Sequence, residues 1–540
     1  MTIRRRPAWG YPDRDLLAPE ISRDQRVHQI QFTAAVGGHV TSARNTEVPV
    51  DGGPGSARAK AAPAYKALYE QLRTSILTGQ LPAGTRLPPS RSLAAETGMS
   101  RNTVLAAFEQ LQAEGYITGR QGSGTYVASV LPEQVLPPPA TEQARPSTST
   151  GRANLSARGR RLAAARRVPL PSVLGRRPHG TAFLIGLPAL DAFPFDTWAK
   201  LHRERFRKSG PQLMRYDDPA GYRPLREAVA GHISTARGIH CTPDQVIITT
   251  GSQQALEFCA RILLDPGDPA WLEDPGYLGA RAALISAGAR IVPVPVDRHG
   301  LDVGAGIALE PAARLATVTP SHQFPLGHTM SLERRLALID WAGDADAWVI
   351  EDDYDAEFRY HGKPHAALMA IDTRQRVIYV GTFSKVLFPA LRLGYIIAPP
   401  DLVDGFLAAH LSTDMHAHLV DQAVVADFIE QGHLTRHLRR MRVLHRERQV
   451  ELLRCMEPLG EQIRLEPSDG GLHLVGRLPH DHDDRAVAQA ALRQGVHVWP
   501  LSIHYLGPES RSALLLGYAG TTPTDMSRGV EVLAEALRAG

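Results

Sequence analysis

Over residues 1–62 apolar and polar positions follow no sustained period, and this stretch of Arg, Gly, Pro and Asp is expected to stay disordered. From Pro63 the pattern sharpens. Tyr65, Leu68, Leu72 and Ile76 recur at helical spacing, and the turn from Gly79 to Gly84 ends that helix. Ser90, after two prolines, is expected to cap a short helix through Glu96. Gly98 then makes a turn, and Ser100 is expected to cap a longer helix from Arg101 to about Glu114. That second helix is expected to bury Val104, Leu105, Phe108 and Leu111. The following YITGRQGSGTYV reads as a two-stranded hairpin with Arg120 and Gln121 at its tip. Helix, turn, helix and wing thus follow in order. Arg101, Asn102 and Thr103 gather at the amino end of the second helix, the end that meets phosphates and base edges in such motifs.

Between residues 129 and 178 the pattern lapses into Pro, Ser, Thr, Ala and Arg, the composition of a linker. Arg158, Arg160, Arg161, Arg166 and Arg167 stand in it without an acidic neighbour. Two readings stay open: a strand of cations following a DNA backbone, or a solvated tether. Beyond residue 179 apolar runs alternate with helix-patterned segments, which predicts a mainly parallel sheet with crossover helices. Several runs stop at residues able to do chemistry. Val246–Ile248 leads to Thr249-Thr250-Gly251-Ser252-Gln253-Gln254, which opens a helix whose amino end suits an anion. Ala270–Leu272 leads to EDPGY, Ala316–Val318 to TPSHQ, and Ala347–Ile350 to EDDY.

Length and charge change this picture little. A chain of 540 residues has room for several domains, and a net charge of +4 leaves any nucleic-acid contact to a local basic surface. The three cysteines, Cys241, Cys259 and Cys455, are too far apart for a CxxC site, and the histidines show no metal-ligand spacing, so no metal is expected. His473, His497 and His504 are expected to be structural. No apolar run approaches the ~20 residues of a spanning helix, so a soluble, cytoplasmic protein is expected.

The chain holds only six lysines, and one of them, Lys385, follows the apolar run Val377–Val380 within GTFSKVLFPALRLGY. It should lie just past the carboxyl end of a buried strand, where open α/β sheets bind ligands. A lysine desolvated there can lose its proton and attack an aldehyde, whereas an exposed lysine would do nothing of the kind.

Two resemblances follow from these motifs. SRSLAAETGMSRNTVLAAFEQLQAEGYITGRQGSGTYV resembles the winged helix-turn-helix of the GntR superfamily, which implies DNA contacts at Arg91, Ser100, Arg101, Asn102, Thr103, Gln121 and Gly122. The large domain resembles the fold type I aminotransferases, which hold pyridoxal 5'-phosphate; this α/β resemblance implies a mainly parallel large sheet followed by a small carboxyl-terminal αβ domain. That resemblance implies a covalent bond from Lys385 to the cofactor, Asp352 on its pyridine nitrogen, Tyr354 on its phenolic oxygen and Tyr277 stacked on its ring. It also implies a phosphate held by Ser252, Gln253, Thr382 and Arg392, with Tyr216 reaching the site of a neighbouring subunit. The two modules joined by a long linker are similar to the MocR-type transcriptional regulators. The implied organisation is a DNA-binding domain over 63–128, a linker over 129–178 and a cofactor-binding, dimerising domain over 179–540. Membership implies a head-to-tail homodimer reading repeated half-sites on double-stranded DNA.

A cofactor-responsive regulator, a working aminotransferase with a fused module, and a scaffold without cofactor all deserve weighing. Lys385 and its supporting set argue against the scaffold. Amino-acid transaminases of this superfamily place an arginine two residues before a Gly-aromatic pair; here SALLLGY puts Leu515 there, and leucine cannot clamp a carboxylate. Sensing of pyridoxal phosphate itself is therefore expected over transamination or amino-acid sensing. LLLGYAG and HQFPLG look most like the PdxR group of this family, which controls vitamin B6 synthesis.

Overall fold

A computed structural model of the chain describes residues 64–120, 124–132, 155–165, 182–360, 366–479, 482–508 and 510–539. The disorder expected of residues 1–62 and the wing contacts expected of Gln121 and Gly122 lie outside the described residues. The chain divides into two compact units, 1–149 and 150–540.

In the first unit, helices Ala64–Leu77, Ser90–Thr97 and Arg101–Ala113 precede an antiparallel hairpin of β1 (Ile117–Arg120) and β2 (Gly124–Val127). The helical period explains the core. Leu68, Leu72 and Ile76 pack with Val104, Ala107 and Leu111, the last three fully buried. Two expectations are corrected. Ser90 is the first residue of its helix and Pro89 holds the cap position, with no side-chain cap bond; a proline already preset in φ can start the turn without one. Leu105 is only partly buried and Ala107 takes the core position, because i, i+3 and i+7 from Val104 share one face of the helix. Ser100 caps as expected, its Oγ accepting from Thr103 N at 3.1 Å.

The second unit is built on an eight-stranded sheet of β3 (Val246–Thr249), β4 (Pro269–Asp274), β5 (Arg290–Asp297), β6 (Gly300–Leu301), β7 (Leu315–Val318), β8 (Trp348–Asp353), β9 (Val377–Thr382) and β10 (Gly394–Ile397). The order across the sheet is β3-β10-β9-β8-β7-β4-β5-β6. Only β6 and β10 pair antiparallel to their neighbours. The runs in β3, β7 and β9 are buried along their whole length, as expected of strands covered by helices on both faces. Register then decides which ends meet: Asp353 pairs with Gly381, and Gly394 pairs with both Thr382 and Thr249. The chemistry-bearing ends of β3, β8 and β9 are thereby brought to one edge.

A second sheet, β11 (Arg464–Leu465), β12 (His473–Arg477), β13 (Trp499–Pro500) and β14 (Ala513–Gly517), is antiparallel in the order β11-β12-β14-β13. Phe183 bridges Gly517, where a Cβ would stand 2.2 Å from the Leu184 carbonyl oxygen. Only glycine permits that approach, which brings the segment through Gly186 alongside the small sheet. The described part of the arginine-rich stretch, residues 155–165, is not the free solvated tether that is one of its two readings. It forms a helix, Ala157–Ala165, that packs against the helix Leu278–Ala287. No helix among the described residues is long and apolar enough to cross a membrane.

Candidate functional site

The edge of the large sheet gathers the residues that the sequence singled out. Lys385 follows β9 directly and is partly buried, its Nζ donating to the Gly186 carbonyl oxygen at 3.0 Å. Burial pulls the ammonium below its ordinary pKa and Arg392 adds to this, against Asp355 and Asp352, which favour the charged form. Asp352, near the end of β8, is buried and its Oδ1 has no hydrogen-bond partner. Its carboxyl is pushed up to about 7, by burial first and by neighbouring Asp353 second, with Lys385 opposing. A lysine inclined to be neutral thus faces a carboxyl inclined to keep its proton.

Around this pair stand three aromatic rings. Tyr277 lies edge-on to Phe324 at 5.6 Å between centroids, and Phe324 lies edge-on to Tyr354 at 5.9 Å. Burial raises the Tyr277 hydroxyl to about 12, Asp352 contributing in the same direction. Tyr354 is held from behind: its hydroxyl is 3.0 Å from His322 Nδ1, which also lies 2.9 Å from Asp355 Oδ2. Burial alone would depress the His322 pKa, but the charge and hydrogen bond of Asp355 outweigh it and the net shift is upward.

An anion cradle adjoins these groups. The helix Ser252–Leu263 begins at the end of β3, and Gly251 before it takes φ 109°. A Cβ on Gly251 would sit 3.2 Å from Arg392 Nη2, so the guanidinium lies close over the helix amino terminus. Arg392 adopts a left-handed φ of 51° and remains exposed to solvent. Thr382 is buried, its Oγ1 accepting from Ser384 N at 3.1 Å. The Gln253 side chain is engaged elsewhere, donating to Gly279 O at 3.0 Å and tying this helix to the first turn of the helix Leu278–Ala287.

Lys385, Asp352, Tyr354, Tyr277, Ser252, Gln253, Thr382 and Arg392 therefore fall in one region. Tyr216 does not join them: it is 81% exposed, with its ring beside His416. Most of the acidic run that begins within β8 is divided among separate partners. Glu351 accepts from Leu368 N and Met369 N, Asp353 pairs with Arg237 at 2.8 Å, and Asp355 pairs with His322. Leu515 is fully buried in an apolar cluster with Phe324, Leu501 and Ala513, against which Tyr277 and Tyr354 pack. His473 and His504 bond to the carbonyls of Pro325 and Gly276. Sequence reading missed Gly186, which no motif marks. It passed over His322, Phe324 and Asp355 although they stand inside quoted motifs, because their roles come from packing alone. In the first unit Arg91, Arg101 and Asn102 are exposed, and Thr103, partly buried, shares its hydroxyl with Ser100 at 2.8 Å.

Comparison with known proteins accounts for both units. Residues 64–127 match the bacterial regulatory proteins of the gntR family, and residues 185–533 match aminotransferase class I and II. The chain is 42% identical to the probable rhizopine catabolism regulatory protein MocR of Rhizobium meliloti, over 88% of this chain and 94% of that one. It is 31% identical to the pyridoxine biosynthesis transcriptional regulator PdxR of Corynebacterium glutamicum, over 86% and 93%. Among solved structures, the α-aminoadipate aminotransferase LysN of Thermus thermophilus superposes with a TM-score of 0.64 at 29% identity, covering 70% of this chain and 97% of that one. The aminotransferase-like domain is thus of a fold family that uses pyridoxal phosphate, while the relatives that span both units are transcriptional regulators. With a gntR-type DNA-binding unit at one end and a class I and II aminotransferase unit at the other, the chain belongs to the MocR-type transcriptional regulators.

Proposed function

We propose that this regulator senses pyridoxal phosphate itself, as a cytoplasmic homodimer, and controls genes of vitamin B6 synthesis. The residues present fit that group. Asp352 Oδ1 is a buried polar atom without a partner, as the carboxylate for a ring nitrogen should be, and Gly251 leaves open the space beneath Arg392 that a side chain would crowd. Pyridoxal phosphate supplies, when bound, an aldehyde carbon for a covalent bond and an electron-withdrawing ring. Lys385 Nζ is the nucleophile, kept inclined to neutrality by its surroundings. Asp352 would hold the pyridine nitrogen, Tyr354 would donate to the phenolic oxygen, and Tyr277 would cover the ring. Ser252 and Gln253, at a helix amino terminus, hold the phosphate with Thr382 and Arg392. Exposed Tyr216 serves the partner subunit, in a head-to-tail arrangement.

The observation that carries the reading is Leu515. It fills the carboxylate-clamp position with hydrocarbon, in contact with a cluster that includes the two site tyrosines, so the site favours the cofactor over an amino acid as its signal. Pyridoxal phosphate must then bind the DNA-competent and DNA-incompetent dimers with different affinity. Arg91, Ser100, Arg101, Asn102, Thr103, Gln121 and Gly122 are proposed as the DNA contacts, Ser100 acting chiefly by fixing the helix end. A second reading, sensing of an amine or amino acid through the bound cofactor, is favoured by one observation: the 42% identical relative is named for catabolism of rhizopine.

The test is an absorbance spectrum of the purified protein with pyridoxal phosphate, beside Lys385→Ala, followed by operator binding with and without the cofactor. A visible band absent from the variant, and operator affinity that changes without any amine, is the expected result. A change only on adding an amine selects the second reading. Equal operator affinity under all conditions refutes both.

A further inference from the structure

A second polar space opens beside the Tyr354 support. It has a volume of about 410 Å³ including its open mouth, and Arg237, Ser321, His322, Thr329, Arg359 and Ser468 contribute its polar lining. His322 stands between this space and the Lys385 cleft. Its Nδ1 edge meets the Tyr354 hydroxyl, while its Nε2 edge lies 3.5 Å from Ser468 Oγ. Two glycines keep that edge clear. A Cβ on Gly471 would come within 2.2 Å of His322 Cε1, and one on Gly327 within 3.1 Å of Nε2, both at positive φ.

The charges do not cancel. Arg237 is neutralised by Asp353 at 2.8 Å and also donates to Ser321; His322 is paired with Asp355 at 2.9 Å. Arg359 has no ion-pair partner among the described residues, and its Nε is buried without a hydrogen bond. Asp469, the remaining acid of the lining, is exposed, so solvent screens it. A buried donor of a cation left unmatched is costly, and a planar guanidinium is matched by an oxyanion presenting two oxygens. Hydroxyls from Ser321, Thr329 and Ser468 stand nearby to complete such a shell.

We infer that this pocket is a second ligand site, taking the carboxylate or phosphate group of a small molecule on Arg359. It gives the protein a place for an anionic effector apart from the Lys385 cleft, and it stands whether or not pyridoxal phosphate binds there.

Calorimetric titration of inorganic phosphate and of succinate, separately, into the full-length protein free of pyridoxal phosphate tests this. At least one probe should bind, and the affinity should fall at least tenfold in Arg359→Gln while persisting in Arg392→Ala, which disables the other anion cradle. Succinate alone binding identifies a carboxylate ligand; phosphate binding identifies a phosphate ester. If Arg359→Gln does not fold, Ser468→Asp, which places a carboxylate in the lining, should abolish binding in its stead. Binding of neither probe, or binding lost in Arg392→Ala but kept in Arg359→Gln, overturns the inference.

Discussion

Replacing Asp352 with asparagine should stabilise the protein without cofactor while weakening the cofactor's hold. Asp352 is 5% exposed, with Oδ1 unpartnered, and burial pushes its carboxyl up to about 7 from an ordinary 3.8. That difference corresponds to about 4 kcal/mol at 1.36 kcal/mol per pH unit. The sign follows from linkage. Between the two pKa values the folded state holds a proton that the unfolded state has released, so stability falls as pH rises through this window, and the full cost is present above about pH 7. Asparagine carries no such cost. In urea denaturation the cofactor-free Asp352→Asn protein should exceed wild type by about 2–4 kcal/mol at pH 8, the lower end allowing for relaxation around the ionised carboxylate. The advantage should shrink steadily toward pH 5, where wild type is protonated too. Pyridoxal phosphate affinity should move the other way, because a charged partner for the ring nitrogen has been removed. A cofactor-free variant less stable than wild type at pH 8, or a stability difference independent of pH, refutes the account of Asp352 as an uncompensated buried acid held for its ligand.

Three further outcomes are expected. Arg237→Met leaves Asp353 buried with, among the described residues, only the Tyr379 hydroxyl at 2.8 Å for support, and should lower stability by about 3–5 kcal/mol in urea unfolding, most of it regained when Asp353→Leu is added. Ser100→Ala removes the acceptor for Thr103 N and should cost about 0.5–2 kcal/mol in thermal unfolding of the first unit. Arg101→Ala, exposed at the same helix end, should leave that unit's melting unchanged and weaken operator binding by about 1–3 kcal/mol in a salt-dependent manner, read by gel shift at two salt concentrations.

What the sequence determined by itself is what short-range periodicity encodes. Helical spacing and turn residues from Tyr65 to Leu111 placed three helices, and the segment YITGRQGSGTYV placed a hairpin, since each pattern lies within one element or one turn. The apolar runs placed β3, β4, β7, β8 and β9 for the same reason, and Lys385, Asp352 and Tyr277 were legible because each lies close to the carboxyl end of a strand. Tertiary structure alone decided the rest. β10 turns antiparallel between β3 and β9, and this register, not any local pattern, carries Arg392 across to the helix beginning at Ser252. Gly186 reaches Lys385 across 199 residues of chain, through a glycine-permitted contact with β14. Within the acidic run EDDYDAEF, Glu351 is held by the backbone of Leu368 and Met369, Asp353 by Arg237 and Asp355 by His322, while Asp352 Oδ1 is left without a partner. Long-range pairing of this kind depends on which surfaces the fold brings together, and no local window of sequence contains both partners.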